Sequence, residues 1–193
     1  MADEPPDERR PGLRILVVDD NRDAADSLAA LLELLGHRPT IAHDGPAALR
    51  AAAAEPPDCA FLDISLPGMD GYELARRLRA EPGLVRVKLV AYSSYADARH
   101  AEQAAAAGFD FRLTKAAGPA ELEGLLTMLQ KIMDLAETTE QLARQNVSLA
   151  DQTKELLREV KEDLEEVKQD VKDLKDEIRE IRDQKDPPEQ KGR

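Results

Sequence analysis

Five side chains able to take part in phosphoryl chemistry each follow a short apolar run. They are Asp19, Asp20, Asp63, Ser93 and Lys115. Three carboxylates in one pocket repel one another and tend to keep their protons, and Mg²⁺, which accepts oxygen ligands and water, relieves that repulsion. A carboxylate can also attack phosphorus to give an aspartyl phosphate, whose oxygens a hydroxyl and an ammonium are suited to hold. The set therefore predicts magnesium-dependent phosphoryl chemistry if the fold brings it together.

The elements that would position these residues alternate along the chain. Strands are predicted at residues 14–18, 39–42, 59–62, 87–91 and 109–113, and helices at 22–35, from 46, at 72–79, at 97–107 and from 119. Such alternation predicts a parallel sheet covered on both faces, with ligands beyond the carboxyl ends of its strands. We therefore expect the five side chains around one crevice. Taken singly, each is more simply explained as a helix cap or a surface charge.

Four segments together resemble the response-regulator receiver domain of bacterial two-component signalling. They are ILVVDDN at 15–21, FLDISLPGMDG at 61–71, VAYS at 90–93 and AGFDFRLTK at 107–115. They occur in the family's order and place the resemblance over residues 13–131. It implies an α/β fold with a five-stranded, doubly wound parallel sheet in the flavodoxin-like order 2-1-3-4-5.

The resemblance also implies a role for each residue of the crevice. Asp63 is the expected phosphoacceptor, Ser93 takes the place of the switch hydroxyl, and Lys115 that of the lysine that contacts the phosphoryl group. The expected Mg²⁺ ligands are Asp19, Asp20, Asp63 and the main-chain carbonyl of Ser65. The phosphodonor would be a histidine kinase or a phosphotransfer protein. We expect no enzyme beyond phosphotransfer to Asp63 and its slow autodephosphorylation, and an unknown downstream protein as the target.

Two positions depart from the family's pattern. Ala116 stands where the family usually has a proline after the lysine, often with a cis bond. A cis bond before another residue costs about 2.5–4 kcal/mol, so we expect a trans bond there. Arg112 replaces the aromatic residue of the usual switch, and the usual coupling of hydroxyl to ring is therefore in doubt. These departures leave a non-switching scaffold or docking module as the alternative function.

Other chemistries find less support in the sequence. A haloacid-dehalogenase-type phosphatase needs a second aspartate two residues after the nucleophile, where this chain has Ser65. The three histidines, His37, His43 and His100, lack metal-ligand spacing and are expected at the surface. Cys59 lies in an apolar strand and is expected to be inert core.

A heptad pattern near the C-terminus predicts a coiled coil. Its seam is Leu157, Val160, Leu164, Val167, Val171, Leu174, Ile178 and Ile181. With Leu157 at position a, the g positions are acidic (Asp163, Asp170, Glu177) and the e positions basic (Lys161, Lys168, Lys175, Arg182). A parallel homodimer sets g against e′ of opposite sign, whereas an antiparallel one sets like charges together. The pattern therefore predicts parallel self-association, with a trimer left open by the mixed Ile and Val of the seam.

A second, more polar register precedes this seam. It consists of Leu135, Leu142, Leu149 and Leu156 with Thr139, Asn146 and Thr153 between them. The two registers join through a stutter, which locally unwinds a supercoil. Asn146 at an a-type position favours a fixed register and a dimer. A hairpin is the alternative for this segment.

Composition and charge exclude several classes of protein. The chain has 39 acidic and 27 basic side chains, which disfavours a nucleic-acid partner because binding phosphates requires clustered Lys and Arg. No apolar run approaches the roughly 18 residues of a membrane helix, and no membrane partner is expected. The lone Cys59 suits a reducing compartment, so we expect a cytoplasmic protein.

The aromatic residues indicate where the globular part lies. All six fall between residues 61 and 111, and rings supply much of the buried area of a core. We expect a disordered arm at 1–12, a receiver domain at 13–131, a coiled-coil extension at 132–184 and a disordered tail at 185–193.

Overall fold

The computed structural model describes residues 12–94 and 98–185, which form five strands and five α-helices. The strands are β1 (Arg14–Val18), β2 (Arg38–Ala42), β3 (Cys59–Leu62), β4 (Lys88–Ser93) and β5 (Phe111–Thr114). The helices are α1 (Arg22–Leu34), α2 (Gly45–Ala54), α3 (Gly71–Ala80), α4 (Ala98–Ala107) and α5 (Pro119–Lys185). A short 3-10 turn at Pro82–Leu84 was not predicted. Residues 1–11 of the expected arm, the expected α4 start at 97 and residues 186–193 of the expected tail lie outside the described residues.

The sheet is parallel and has the strand order β2-β1-β3-β4-β5. This confirms the predicted fold class and the flavodoxin-like order. In the central register Val18 pairs with Leu62, and Leu62 pairs with Ala91. The carboxyl ends of these strands therefore lie side by side at one edge, where the predicted crevice residues follow.

Both faces of the sheet are covered because successive residues of a strand point to opposite faces. One face packs Leu16, Val18 and Leu62 with Ala48 of α2 and Leu74 and Leu78 of α3. The other packs Ile15, Val17 and Phe61 with Leu28 and Leu32 of α1 and Leu122, Leu126 and Leu129 of α5. The Cys59 side chain is fully buried in β3, and burial raises the pKa of its thiol. Cys59 is thus part of the core, as predicted.

Side-chain caps determine where three of the helices begin. Asn21 accepts a hydrogen bond from the Ala24 amide at 3.2 Å, Asp44 from the Ala47 amide at 2.7 Å, and Asp70 from the Glu73 amide at 2.7 Å. Each cap satisfies a first-turn amide that has no partner within its helix. The start of α1 at Arg22 leaves Asp19 and Asp20 in the loop between β1 and that helix.

The chain divides into two compact units, one up to residue 133 and one from residue 134. The second unit is helical through Lys185, so the predicted helical extension is present. Its aliphatic side chains are solvent-exposed in the single chain, those of the predicted seam by 45 to 65 %. None of the described helices is long and apolar enough to cross a bilayer.

Candidate functional site

Backbone hydrogen bonds position the two buried acids at the strand ends. The Asp19 amide donates to the main-chain oxygen of Ala42 at 3.2 Å, and the Asp63 amide donates to that of Val18 at 2.8 Å. Each acid thus continues the hydrogen-bonded ladder for one residue beyond its strand. The neighbouring positions of β1 and β3 in the sheet therefore bring the two carboxylates together.

Three carboxylates form a cluster at this edge. Asp19, Asp20 and Asp63 each offer an oxygen within 4.8 Å of the others. Asp19 is 1 % and Asp63 5 % exposed, whereas Asp20 is exposed. Oxygen donors of this kind, open to solvent on one side, fit Mg²⁺, which binds through carboxylates and keeps several waters.

Lys115 supplies the positive charge of the site. Its Nζ lies 2.7 Å from Oδ2 of Asp19 and 3.0 Å from Oδ2 of Asp63. Burial alone would lower the pKa of Lys115, but its hydrogen bonds to the two carboxylates outweigh burial and raise it. Lys115 is therefore an ammonium at neutral pH, and it offsets part of the negative charge.

The two buried carboxylates are held in the same way. Oδ1 of Asp19 accepts a hydrogen bond from the Asn21 amide at 3.0 Å, and Oδ1 of Asp63 accepts one from the Ser65 amide at 3.1 Å. Aspartate side chains commonly bond the backbone two residues on. In both residues, one oxygen is thereby held by the backbone while the other is directed at Lys115.

Ser93 lies at the carboxyl end of β4 and is 5 % exposed. Its main-chain oxygen accepts a hydrogen bond from the Lys115 amide at 3.0 Å, which ties the lysine loop to this strand. The structure thus brings Asp19, Asp20, Asp63 and Lys115 together, with Ser93 at the neighbouring strand end. The Ser65 side chain is exposed, and its amide binds Asp63.

The two positions that depart from the family's pattern lie close to the site. No described residue follows a cis peptide bond, so the Lys115–Ala116 bond is trans, as predicted. Arg112 is exposed. It lines a cavity of about 90 Å³ together with Tyr72, Ser93 and Glu121 among others.

Sequence reasoning missed two neighbours of the acids. A Cβ on Gly71 would lie 2.3 Å from the main-chain oxygen of Asp63 and 2.8 Å from the Ile64 Cα, so only glycine fits. His43 Nδ1 lies 3.1 Å from the main-chain oxygen of Asp19. Hydrophobic periodicity does not reveal the close approach at Gly71. The contact of His43 with Asp19 joins residues 24 positions apart in the sequence.

All three histidines are partly exposed and partly covered by neighbouring residues. His43 contacts the Asp19 backbone, and His37 accepts a hydrogen bond from the Leu13 amide through Nδ1 at 3.1 Å. His100 lines the cavity beside Arg112.

Comparisons with known proteins point to one family. A family model described as the response regulator receiver domain matches residues 15–127. The chain is 44 % identical over 68 residues to the response regulator MprA of Mycobacterium ulcerans (35 % of this chain, 29 % of that protein). It is 37 % identical over 118 residues to the virulence sensor protein BvgS of Bordetella bronchiseptica (58 % of this chain, 10 % of that protein). The chain therefore spans less than a third of the length of these relatives.

A solved structure covers the same part of the chain. The receiver domain of the sensor histidine kinase PA1611 from Pseudomonas aeruginosa, with magnesium in its active-site cleft, aligns with a TM-score of 0.57 and 34 % identity. The alignment covers 61 % of this chain and 97 % of that domain.

Proposed function

Because this chain belongs to the response regulator receiver family of two-component systems, we propose that it accepts a phosphoryl group on Asp63. Receiver domains are signalling domains that take phosphate from histidine kinases. The observation that carries the proposal is the Lys115 ammonium, which contacts the carboxylates of both Asp19 and Asp63. A histidine kinase or a phosphotransfer protein is the proposed donor, and the fully buried thiol of Cys59 suits the reducing cytoplasm.

We assign the Mg²⁺ ligands to Asp19, Asp20, Asp63 and the main-chain carbonyl of Ser65. The three clustered carboxylates support this assignment, since they offer the hard oxygen donors that Mg²⁺ prefers. When bound, the ion supplies positive charge that stabilises the oxygens of a transferring phosphoryl group.

The chain's own residues supply the nucleophile and the positioning. An oxygen of the Asp63 carboxylate attacks phosphorus while the bond from phosphorus to the donor nitrogen breaks. Lys115 already lies within 3.0 Å of that carboxylate, so its ammonium can pass to a phosphoryl oxygen without a large movement. The Ser93 hydroxyl is the proposed donor to another phosphoryl oxygen. Slow attack of water on the phosphoryl group returns Asp63 to the carboxylate.

Lys115 also offsets negative charge around the nucleophile. Its Nζ lies 2.7 Å from Oδ2 of Asp19 and 3.0 Å from Oδ2 of Asp63. This fixed positive charge is available to the oxygens of an incoming phosphoryl group.

The extension is proposed to form a parallel coiled-coil homodimer through which the chain signals to a downstream protein. Fully burying an aliphatic side chain contributes about 1.5–3 kcal/mol, and the seam exposes eight of them in the single chain. An exposed charge pair contributes only about 0.2–1 kcal/mol. Burial of the seam thus drives association, and the acidic g and basic e′ positions select the parallel orientation.

Phosphate-affinity gel mobility after incubation with phosphoramidate and Mg²⁺ tests the phosphoacceptor. We expect a shifted band for the wild type that is absent with EDTA and absent from Asp63→Asn. Asp26→Asn, an exposed acid on α1, is the matched control and should shift like the wild type. An unshifted wild type would favour the docking module instead.

A further inference from the structure

The first half of the extension carries three columns of residues, each of which repeats every seven positions. The more polar register consists of the Leu column, which is Leu135, Leu142, Leu149 and Leu156, and the shared column, which is Thr139, Asn146 and Thr153. The Ala column follows the Leu column by one position and consists of Ala136, Ala143, Ala150 and Leu157. All of these residues are exposed in the single chain, so each column is accessible to a second helix.

The shared column can combine with either of the other columns to make a coiled-coil seam. Steps of three and four residues lead from Thr139 through Leu142 to Asn146. Steps of four and three residues lead from Thr139 through Ala143 to Asn146. Both are spacings of a heptad seam. We call the first combination the Leu register and the second the Ala register.

The two registers join the downstream seam differently. The Ala register passes from Thr153 to Leu157, the first residue of that seam, without breaking the 3-4 repeat. The Leu register reaches the seam only through the stutter that follows Leu156, and a stutter unwinds the supercoil locally. The Leu register, however, buries larger apolar side chains, which is the more favourable contribution of the hydrophobic effect. Each register therefore has one advantage that the other lacks.

The shared column can be buried in both registers. Thr139 and Thr153 donate their hydroxyls to the main-chain oxygens of Leu135 and Leu149, each at 2.8 Å. Their hydroxyls are thus satisfied within their own helix, and burying them costs little free energy. Asn146 belongs to the same column, so it faces its counterpart in a parallel dimer whichever register is adopted.

Charged residues do not select between the two registers. In the downstream seam, acidic g positions face basic e′ positions, and such pairs fix the register. In the Leu register, the e positions belong to the Ala column and the g positions are Thr138, Gln145 and Gln152. In the Ala register, the g positions belong to the Leu column and the e positions are Glu140, Val147 and Lys154. Neither register therefore contains a g–e′ charge pair.

We propose that residues 135–157 form a two-register segment, in which the helices of the dimer exchange between the Leu register and the Ala register. The proposal rests on the parallel coiled-coil homodimer of the proposed function. At 3.5 residues per turn, the Leu and Ala columns lie about 50° on either side of the shared column. Exchange therefore rotates each helix by about 50°, which is the phase shift that the stutter absorbs. Because α5 is one helix from Pro119 to Lys185, a bias at either end of it can shift the two populations.

Cysteine cross-linking of the full-length chain under mild oxidation tests the exchange. Leu142→Cys places a thiol in the Leu column, and Ala143→Cys places one in the Ala column. Arg144→Cys lies outside both seams and gives the background, since the native Cys59 is fully buried. We expect Leu142→Cys and Ala143→Cys to give disulfide-linked dimers in yields within about threefold of one another, because both registers are populated. Both yields should exceed that of Arg144→Cys by at least about fivefold, because a disulfide requires Cα atoms less than about 7 Å apart.

The downstream seam supplies the matched control for this comparison. Leu174→Cys lies at a d position and Lys175→Cys at the neighbouring e position. In this single register, Leu174→Cys should exceed Lys175→Cys by at least about fivefold. Equal yields from these two variants would overturn the proposal, since the downstream seam would then have no fixed register.

The other outcomes separate the two-register segment from the dimer itself. If Leu174→Cys cross-links but Leu142→Cys and Ala143→Cys differ by more than about threefold, the segment has one register, and the proposal is wrong while the dimer stands. Yields from both that equal the Arg144→Cys background would overturn it as well. If Leu174→Cys forms no linked dimer, the proposed coiled coil is wrong and the two-register segment falls with it.

A change in the Leu column gives a second measurement. Leu135→Ala with Leu149→Ala removes apolar area that only the Leu register buries fully. In this background, the yield of Ala143→Cys relative to Leu142→Cys should rise by at least about fivefold. The exposed substitution Glu137→Ala is the matched control and should leave that ratio within about twofold. An unchanged ratio in the Leu-column background would contradict exchange between the registers.

Discussion

Replacing Lys115 with methionine keeps most of the side-chain volume and removes the ammonium that contacts both Asp19 and Asp63. Counting side-chain atoms alone, Asp19 is 2 %, Asp63 7 % and Lys115 23 % exposed. Removing one partner of a fully buried ion pair costs about 3–5 kcal/mol. Because the lysine is partly solvated and water reaches the crevice, we expect Lys115→Met to destabilise the magnesium-free receiver by about 1–3 kcal/mol.

The sign of two further effects follows from the same geometry. The ammonium and Mg²⁺ neutralise the same carboxylates. Lys115→Met should therefore bind Mg²⁺ about tenfold more tightly, which is about 1.4 kcal/mol of binding free energy. Saturating Mg²⁺ should also restore part of the stability that this variant loses. Burial lowers the pKa of Lys115, but its hydrogen bonds raise it overall above 10.5. Its stabilising contribution is therefore fully present below pH 10.5 and is lost as the pH rises through the folded pKa.

Urea unfolding followed by tyrosine fluorescence measures these changes, since all tyrosines precede α5. Lys131→Met, an exposed lysine of α5, is the matched control and should unfold like the wild type. If Lys115→Met is as stable as the wild type without Mg²⁺, or if Mg²⁺ stabilises both equally, the charge balance inferred for the crevice is wrong.

Three other changes test separate parts of the molecule. Gly71→Ala should lower the unfolding free energy by about 1–3 kcal/mol, because its Cβ would lie 2.3 Å from the main-chain oxygen of Asp63. Gly83→Ala should not lower it, because no atom lies within 4 Å of a Cβ at that position. Equal thermal unfolding midpoints for the two variants would refute the clash. Burial lowers the pKa of His37, so the unfolding free energy of the wild type should fall as the pH drops below 6.5. His37→Asn should flatten that decline in urea titrations. If the unfolding free energy of His37→Asn falls with pH as steeply as that of the wild type, the role given to His37 is wrong. Lys168→Glu with Lys175→Glu should weaken the dimer in sedimentation equilibrium, and reversing the facing g positions should restore it; a dimer unaffected by the reversal would argue against parallel pairing.

The sheet and the acidic pocket could be predicted because both leave local marks. Each buried strand is a continuous apolar run, and the acids Asp19 and Asp63 stop β1 and β3 at the edge where parallel strands meet. The cluster itself then follows from topology, since adjacent strands bring adjacent ends together.

Boundaries set by tertiary contacts could not be predicted. β5 was expected from Phe109 but begins at Phe111. The Asp110 carboxylate accepts hydrogen bonds from the Leu89 amide at 2.8 Å and from Arg79 at 2.5 Å. The Leu89 amide of β4 is therefore bonded to a side chain and not to a backbone oxygen. Arg79, the other donor, lies 31 positions from Asp110 in the sequence.

The ends of the site depend on similar long-range contacts. β4 ends at Ser93, near where the sequence predicts its end, but the pairing of Tyr92 and Ser93 with Leu113 and Thr114 of β5 could not be predicted. That pairing places the Ser93 oxygen where it accepts the Lys115 amide. Hydrophobic periodicity carries no information on such partners.

Borohydride trapping tests most directly whether Asp63 is the phosphoacceptor. Hydride reduces an aspartyl phosphate to homoserine with loss of phosphate, and peptide mass mapping then locates the altered residue. After treatment with phosphoramidate and Mg²⁺, we predict homoserine at position 63 alone, and none when EDTA is present. Homoserine at position 19 or 20 with Asp63 unaltered, or the same yield at position 63 without Mg²⁺, would contradict the proposed function.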